Sequence, residues 1–151
     1  EKALALFREQ VENYPEEPEH QRRLAMCQNN MASTLRRAGR IAEARQAYGE
    51  AIASQRDLVR QRGTAETVSV LALSHTNIGL LQAEKNQTEM ASESFQAAIR
   101  LQQGLLAENG TNRELHRRLA ASYNNLSAVS GPLTSWENAR AQFQVWDAMS
   151  E

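Results

Sequence analysis

Three stretches of the chain repeat one another, and they determine the fold. They are LAMCQNNMASTLRRAGRIAEARQAYGEAI (residues 24–52), LALSHTNIGLLQAEKNQTEMASESFQAAI (71–99) and LAASYNNLSAVSGPLTSWENARAQFQVWD (119–147). A shift of 47 residues superimposes the first on the second, and a further 48 superimposes the second on the third. Five columns keep similar residues through both shifts: Leu24, Leu71 and Leu119; Ala25, Ala72 and Ala120; Asn30, Asn77 and Asn125; Ala44, Ala91 and Ala139; Tyr48, Phe95 and Phe143. A fixed period of this size predicts an array of stacked helical units.

The columns resemble the tetratricopeptide repeat, which has a large and a small residue side by side in a first helix, and alanine followed by an aromatic residue in a second. Met31-Ala32, Ile78-Gly79 and Leu126-Ser127 match the first-helix pattern. Ala3 and Phe7 stand four apart like the alanine and aromatic columns, so the chain opens with a second helix that has no first helix before it. The resemblance implies an all-α fold, an α-α superhelix of about seven antiparallel helices in three pairs plus this N-terminal orphan helix.

The chain departs from the family in two respects. Its period exceeds the usual value of about 34 residues, and the third aromatic-type position of the first helix holds Leu35, Gln82 and Ser130. The absence of proline from residues 41–62 and 88–108 indicates that the extra length extends the second helices to about 20 residues. Glycine is expected to end helices at Gly39, Gly63 and Gly110, and Thr111 with Glu114 and Thr134 with Glu137 are typical capping boxes.

We therefore predict one repeat domain over residues 1–151, taken as an excerpt of a longer protein. Its parts are the orphan second helix (1–15), repeat 1 (19–63), repeat 2 (64–110) and repeat 3 (111–151). Trp146 replaces the small Ala51 and Ala98 of its column, which is typical of a terminal, capping repeat. Exposure of Trp136 or Trp146 as an anchor for a partner is the alternative.

A narrower resemblance lies in EHQRRLAMCQNNMASTLRRAGRIAEARQAY and ELHRRLAASYNNL. This wording resembles the long tetratricopeptide repeats of multidomain bacterial Ser/Thr protein kinases. The chain contains no glycine-rich phosphate loop, no HRD and no DFG. The resemblance therefore implies an accessory region of such a protein.

In stacked helix pairs the first helices line the concave surface, so a binding groove is expected on them. Asn30, Asn77 and Asn125 would form a row of amides, each able to donate and accept hydrogen bonds to the backbone of an extended peptide. Beside them we place further groove residues: a second polar row of Asn29, Thr76 and Asn124, the apolar Met26, Leu73 and Leu80, with Ser33, and the arginines Arg23 and Arg118 at the ends. Two alternatives stay open: the amides could fix the packing of neighbouring helices, and the arginines could pair with nearby glutamates instead of a ligand carboxylate.

Composition narrows the functional classes. Seventeen Lys and Arg against eighteen Asp and Glu give a net charge of -1, which predicts no nucleic-acid partner. No apolar run reaches the roughly 20 residues of a membrane span, and no membrane partner is expected. Cys27 is the only cysteine, and His20, His75 and His116 are scattered without ligand spacing, so we expect no metal, no cofactor and a reducing, cytoplasmic location.

The sequence thus predicts a protein-protein interaction module that binds a peptide or a partner helix in a concave groove, without catalysis. The alternative is a rigid structural spacer or self-association element. In that case the apolar face of the orphan helix, with Ala3, Leu6 and Phe7, could form a homodimer.

Overall fold

The computed structural model describes residues 2–14, 17–61 and 63–130, together with residues 140, 144 and 147. These ranges contain six helices and no strand, which confirms the all-α prediction. The helices are α1 (Lys2–Asn13), α2 (Pro18–Arg37), α3 (Ile41–Gln61), α4 (Ala65–Glu84), α5 (Thr88–Glu108) and α6 (Arg113–Ser130). The second helices α3 and α5 each have 21 residues, as the missing prolines predicted. Of the seventh predicted helix only residues 140, 144 and 147 are described, all three helical, whereas Thr134, Trp136 and Trp146 lie outside the described residues.

The turns within the helix pairs use a left-handed residue. Gly39 follows α2 with φ +74°, as expected for a residue without a Cβ. Asn86 occupies the same column after α4 with φ 56°, a conformation that asparagine tolerates better than most residues. The sequence prediction did not include Asn86.

Two other predictions about helix ends are wrong. The helices α3 and α5 do end two residues before Gly63 and Gly110, but neither glycine adopts the left-handed conformation expected of it. At the end of α5, the capping residue Asn109 is instead extended, with φ -139°, and its N–H donates to the Leu105 carbonyl. At the start of α6 the cap is Asn112, not Thr111: the Asn112 Oδ1 accepts from the Leu115 N–H at 3.1 Å.

The chain divides into two compact units, residues 1–77 and 78–151, with the boundary inside α4. In the first unit α2 packs along α3, to which a three-residue turn joins it, and α1 packs on α2. Because this turn has only three residues, the two helices that it joins run antiparallel. Small residues allow the close approach, since Ala25, Ala32 and Ala44 are fully buried beside Tyr48.

In the second unit α5 packs on α6 around a cluster of buried side chains. The cluster contains Ala91, Phe95, Ile99, Leu119, Tyr123 and Leu126. Phe95 also contacts α4, where Gly79 leaves so little room that a Cβ would lie 2.7 Å from the Phe95 Cε1. In the two described pairs the aromatic column therefore lies at the centre, as Tyr48 and Phe95 show, and burial of such a ring contributes roughly 2–3 kcal/mol.

Within the described residues, none of the helices combines the length and the apolar character needed to cross a bilayer.

Candidate functional site

The first helices of the first unit carry two exposed apolar side chains at the same repeat column. Met26 on α2 is 39% exposed and Leu73 on α4 is 45% exposed, although most residues of this size and type are buried. Asn30 and Asn77 follow them one helical turn later, Asn30 exposed and Asn77 half-buried. We call the surface formed by Met26, Asn30, Leu73 and Asn77 the α2–α4 face.

The two helices of this face are joined through an amide pair. The Nδ2 of Asn77 donates to the Oδ1 of Asn29 at 3.4 Å. Asn29 is only 4% exposed, so it offers almost no surface to a ligand and its carboxamide needs an internal partner. For Asn29 and Asn77 the structure therefore favours the packing interpretation, whereas Asn30 keeps its side chain at the surface.

The remaining predicted residues of the face have mixed environments. Thr76 is half-buried and donates to the Ala72 carbonyl of its own helix at 3.1 Å. Ser33 is also half-buried. In the second unit, Leu80 and Asn125 are half-buried and Asn124 is exposed. Each unit thus presents at least one exposed asparagine on a first helix.

The predicted groove arginines are bound to glutamates of their own helices. On α2, Glu19 accepts from the Nε of Arg22 at 2.7 Å and from the Nε of Arg23 at 2.8 Å. Hydrogen bonds from Arg22, and then from Arg23, lower the pKa of Glu19 from 4.5 to about 2. The arrangement agrees with the alternative in which these arginines pair locally rather than receive a ligand carboxylate.

The same arrangement recurs on α6. Glu114 accepts from the Nε of Arg117 and of Arg118, both at 2.7 Å, and these bonds lower the pKa of Glu114 to about 2. We call the sequence E-x-x-R-R, found at residues 19–23 and 114–118, the glutamate–diarginine motif. Its spacing of three and four residues is visible in the sequence and predicts such contacts on a helix.

The first unit also contains a cavity that no pattern in the sequence predicted. Its volume is about 500 Å³, and it lies between α1, α2 and α3. Leu4, Leu35 and Ala47 are among its apolar lining, and Arg8 of α1 reaches Glu50 of α3 across a distance of 3.6 Å. The Arg8–Glu50 ion pair is largely exposed, so it adds little to stability.

The remaining candidates for chemistry sit in helix packing. His75 and His116 are buried, and a ring nitrogen of His116 hydrogen-bonds the Gly110 carbonyl at 2.8 Å. Cys27 is half-buried in α2. Among the described side chains no three His, Cys, Asp or Glu residues are grouped closely enough to hold a metal ion.

Antiparallel helix pairs with a small residue against an aromatic ring, and with exposed side chains on the first helices, define a helical-repeat protein. Comparison with known families supports this class: residues 72–104 match the family model described as Tetratricopeptide repeat. The match covers most of α4 and most of α5, the stretch in which Gly79 contacts Phe95. No curated protein matches the chain.

Proposed function

We propose that the protein is a non-catalytic interaction module that binds a peptide or a partner helix on the α2–α4 face. Tetratricopeptide repeats are protein-interaction modules, and the match at residues 72–104 supports that general role. The observation that carries the specific proposal is the exposure of Met26 and Leu73 at the same repeat column of α2 and α4, two helices that the Asn29–Asn77 hydrogen bond joins. Apolar side chains of this size, with an exposed amide one turn away, form the mixed surface that protein partners use.

The ligand chemistry follows from the same residues. On α2 the Glu19 carboxylate already bonds both Arg22 and Arg23 and offsets one of their two positive charges, so we expect an apolar anchor to contribute more than an acidic group. The exposed Asn30 would then bond the ligand backbone next to that anchor. We therefore propose an extended or helical segment with at least one large apolar side chain as the ligand.

A selected peptide tests this proposal. A random peptide library displayed on phage would be panned against the 1–151 chain, and the affinity of the recovered peptide would be measured by titration calorimetry. Replacing Leu73 by glutamate should weaken that peptide by about 2 kcal/mol or more, because a buried anchor would face a charge. The matched control is Met90→Glu, since Met90 is 46% exposed but lies on the second helix α5. Equal effects of the two changes would refute the α2–α4 face.

Substitution of the asparagines distinguishes their two possible roles, ligand binding and the packing of neighbouring helices. Asn30→Ala should weaken the selected peptide with little change in stability, because Asn30 is exposed. Asn77→Ala should lower the free energy of unfolding by about 1–2 kcal/mol, because it removes the partner of the buried Asn29. If Asn77→Ala leaves stability unchanged, the amide pair does not join the helices.

The resemblance to the repeats of bacterial Ser/Thr protein kinases supports an accessory role in a larger signalling protein. A kinase catalytic region elsewhere in the parent polypeptide would agree with it. The second candidate function is a spacer or self-association element. The observation that favours it is the exposed Leu6 on α1, an apolar side chain that a second copy could cover. Sedimentation at increasing concentration distinguishes the two, because only self-association predicts a rise in mass.

A further inference from the structure

The cavity between α1, α2 and α3 has both an apolar and a charged lining. Its apolar part includes Leu4, Leu35 and Ala47. Leu4 is only 8% exposed, so the described helices already cover the side of α1 that lines the cavity. The volume of about 500 Å³ falls within the range of small-molecule sites, roughly 300–1,000 Å³.

The charged residues of the cavity are not a feature of the repeat. Four of its lining residues are charged: Arg8, Arg40, Glu43 and Glu50. The positions equivalent to them one repeat later hold, in the same order, Gly49, Gln87, Met90 and Ala97. None of these equivalents carries a charge, so the packing of helix pairs does not require charge at these positions. Binding of a ligand is a reason for it that applies to this cavity alone.

Thr34 is a second departure from the repeat, and it leaves space in the cavity. At its column α4 has Leu81, which is 2% exposed, and α6 has the half-buried Val129. Thr34 is exposed, and its hydroxyl donates to the Asn30 carbonyl of its own helix at 3.0 Å. The first pair therefore lacks a branched apolar side chain at a column where the second pair buries one. A ligand with a group of similar size can occupy that space.

The two ion pairs of the cavity differ in how closely their partners are joined. Arg40 donates two hydrogen bonds to Glu43, at 2.7 and 2.5 Å, so these two groups satisfy each other. Arg8 and Glu50 come from different helices and are 3.6 Å apart, beyond the usual length of a hydrogen bond. Gln46 donates to the other oxygen of Glu50 at 3.0 Å and so orients its carboxylate. The Arg8–Glu50 pair can therefore receive one negative and one positive group of a ligand.

We propose that the cavity binds a small zwitterionic molecule with a branched apolar group, which is the chemistry of a free aliphatic amino acid. The apolar group lies against Leu4, Leu35 and Ala47 in the space beside Thr34. The ligand carboxylate accepts hydrogen bonds from Arg8, and its ammonium group donates to Glu50. The two arginines and two glutamates of the lining have no net charge, which favours a ligand without net charge.

This site is separate from the α2–α4 face and does not depend on it. None of the four residues that define that face lines the cavity.

L-leucine is the probe that tests the proposal. Its binding to the 1–151 chain would be followed by the backbone amide shifts in two-dimensional NMR spectra, which also show whether each variant is folded. We expect saturable shifts centred on Leu4, Thr34 and Ala47. Leucinamide lacks the carboxylate and N-acetyl-leucine lacks the ammonium group, so each should bind at least about tenfold more weakly, as for loss of a hydrogen bond between charged groups.

Variants of the cavity locate the binding. Thr34→Leu introduces the residue that α4 has at this column, and it should abolish binding because its side chain fills the space. Glu50→Gln keeps the size of the side chain and should weaken leucine at least about tenfold. The matched control is Asp57→Asn, which removes a carboxylate that pairs with Arg60 on the same helix outside the cavity, and it should change the affinity by less than about twofold.

Leu73→Glu, the change that tests the α2–α4 face, should also leave leucine binding intact, so failure of this site and failure of the proposed peptide site give different results. Shifts that do not saturate would overturn the inference. So would leucinamide or N-acetyl-leucine binding as tightly as leucine, or leucine binding that survives Thr34→Leu or Glu50→Gln unchanged.

Discussion

Replacing Gly79 by alanine should destabilise the protein although it improves the helix. A glycine in the interior of α4 costs about 1 kcal/mol in helix propensity, which alanine would recover. The added Cβ would lie 2.7 Å from the Cε1 and 2.8 Å from the Cδ1 of Phe95, whereas carbon atoms pack at about 3.5–4.0 Å. Phe95 is buried in the cluster around α5 and α6, so its ring has little room to move away.

The magnitude follows from the difference between the two effects. Overpacking of a core typically costs about 1–3 kcal/mol, so the net loss for Gly79→Ala should be about 1 kcal/mol. For a chain of this length that loss lowers the Tm by roughly 2–4 °C. The control is Gly49→Ala on α3, where a Cβ would have no atom within 4 Å, and there the propensity gain should raise the Tm.

Circular dichroism at 222 nm during heating measures both changes. The contact with Phe95 is checked by repeating Gly79→Ala in a Phe95→Leu background, where removal of the ring should turn the loss into a gain. The reasoning is refuted if Gly79→Ala stabilises the protein as much as Gly49→Ala does, because the close approach of α4 and α5 would then not exist.

Two further predictions concern polar contacts within the helices. Ser94→Ala should lower the free energy of unfolding by about 1–2 kcal/mol, since it leaves the buried Gln82 amide without its partner. The double variant Ser94→Ala, Gln82→Leu should recover most of that loss. Denaturant unfolding in which the two substitutions lower stability additively would contradict the contact. Because the pKa of Glu19 and of Glu114 is lowered in the folded state to about 2, their stabilisation is present above pH 4.5 and is lost as the pH falls towards 2. As the pH falls over that interval, the Tm of the Glu19→Gln, Glu114→Gln variant should fall less than that of the unchanged protein. The difference should be small because the ion pairs are exposed. If the two proteins have identical profiles of Tm against pH, the ion pairs do not form.

The helix pairs and their buried columns were predictable from the sequence because they follow from periodicity alone. Ala44 and Ala91 are fully buried and Tyr48 and Phe95 lie beneath the surface, as their columns require. Periodicity predicts these positions because equivalent helices pack in the same way in each repeat, and so require side chains of the same size at equivalent positions.

The amides could not be assigned from periodicity, because adjacent asparagines on one helix differ only by about 100 degrees in direction. Asn29 is buried and bonded while Asn30 is exposed, and that outcome depends on where α4 approaches α2. The helix caps were missed for a similar reason. Thr111 and Asn112 are both good caps in sequence, and only the backbone path decides that Asn112 accepts from Leu115.

The glutamate–diarginine motif has a consequence for how such arrays can change. On α2 and on α6 two arginines donate hydrogen bonds to a glutamate of the same helix, three and four residues earlier. One carboxylate thereby offsets one of the two positive charges within about one helical turn, and on α2 the carboxylate of Glu66, on α4, also acts on Arg22. A helix that contains both partners of an ion pair brings that pair with it when it is duplicated or exchanged, so only its second arginine depends on a neighbouring helix for an opposite charge.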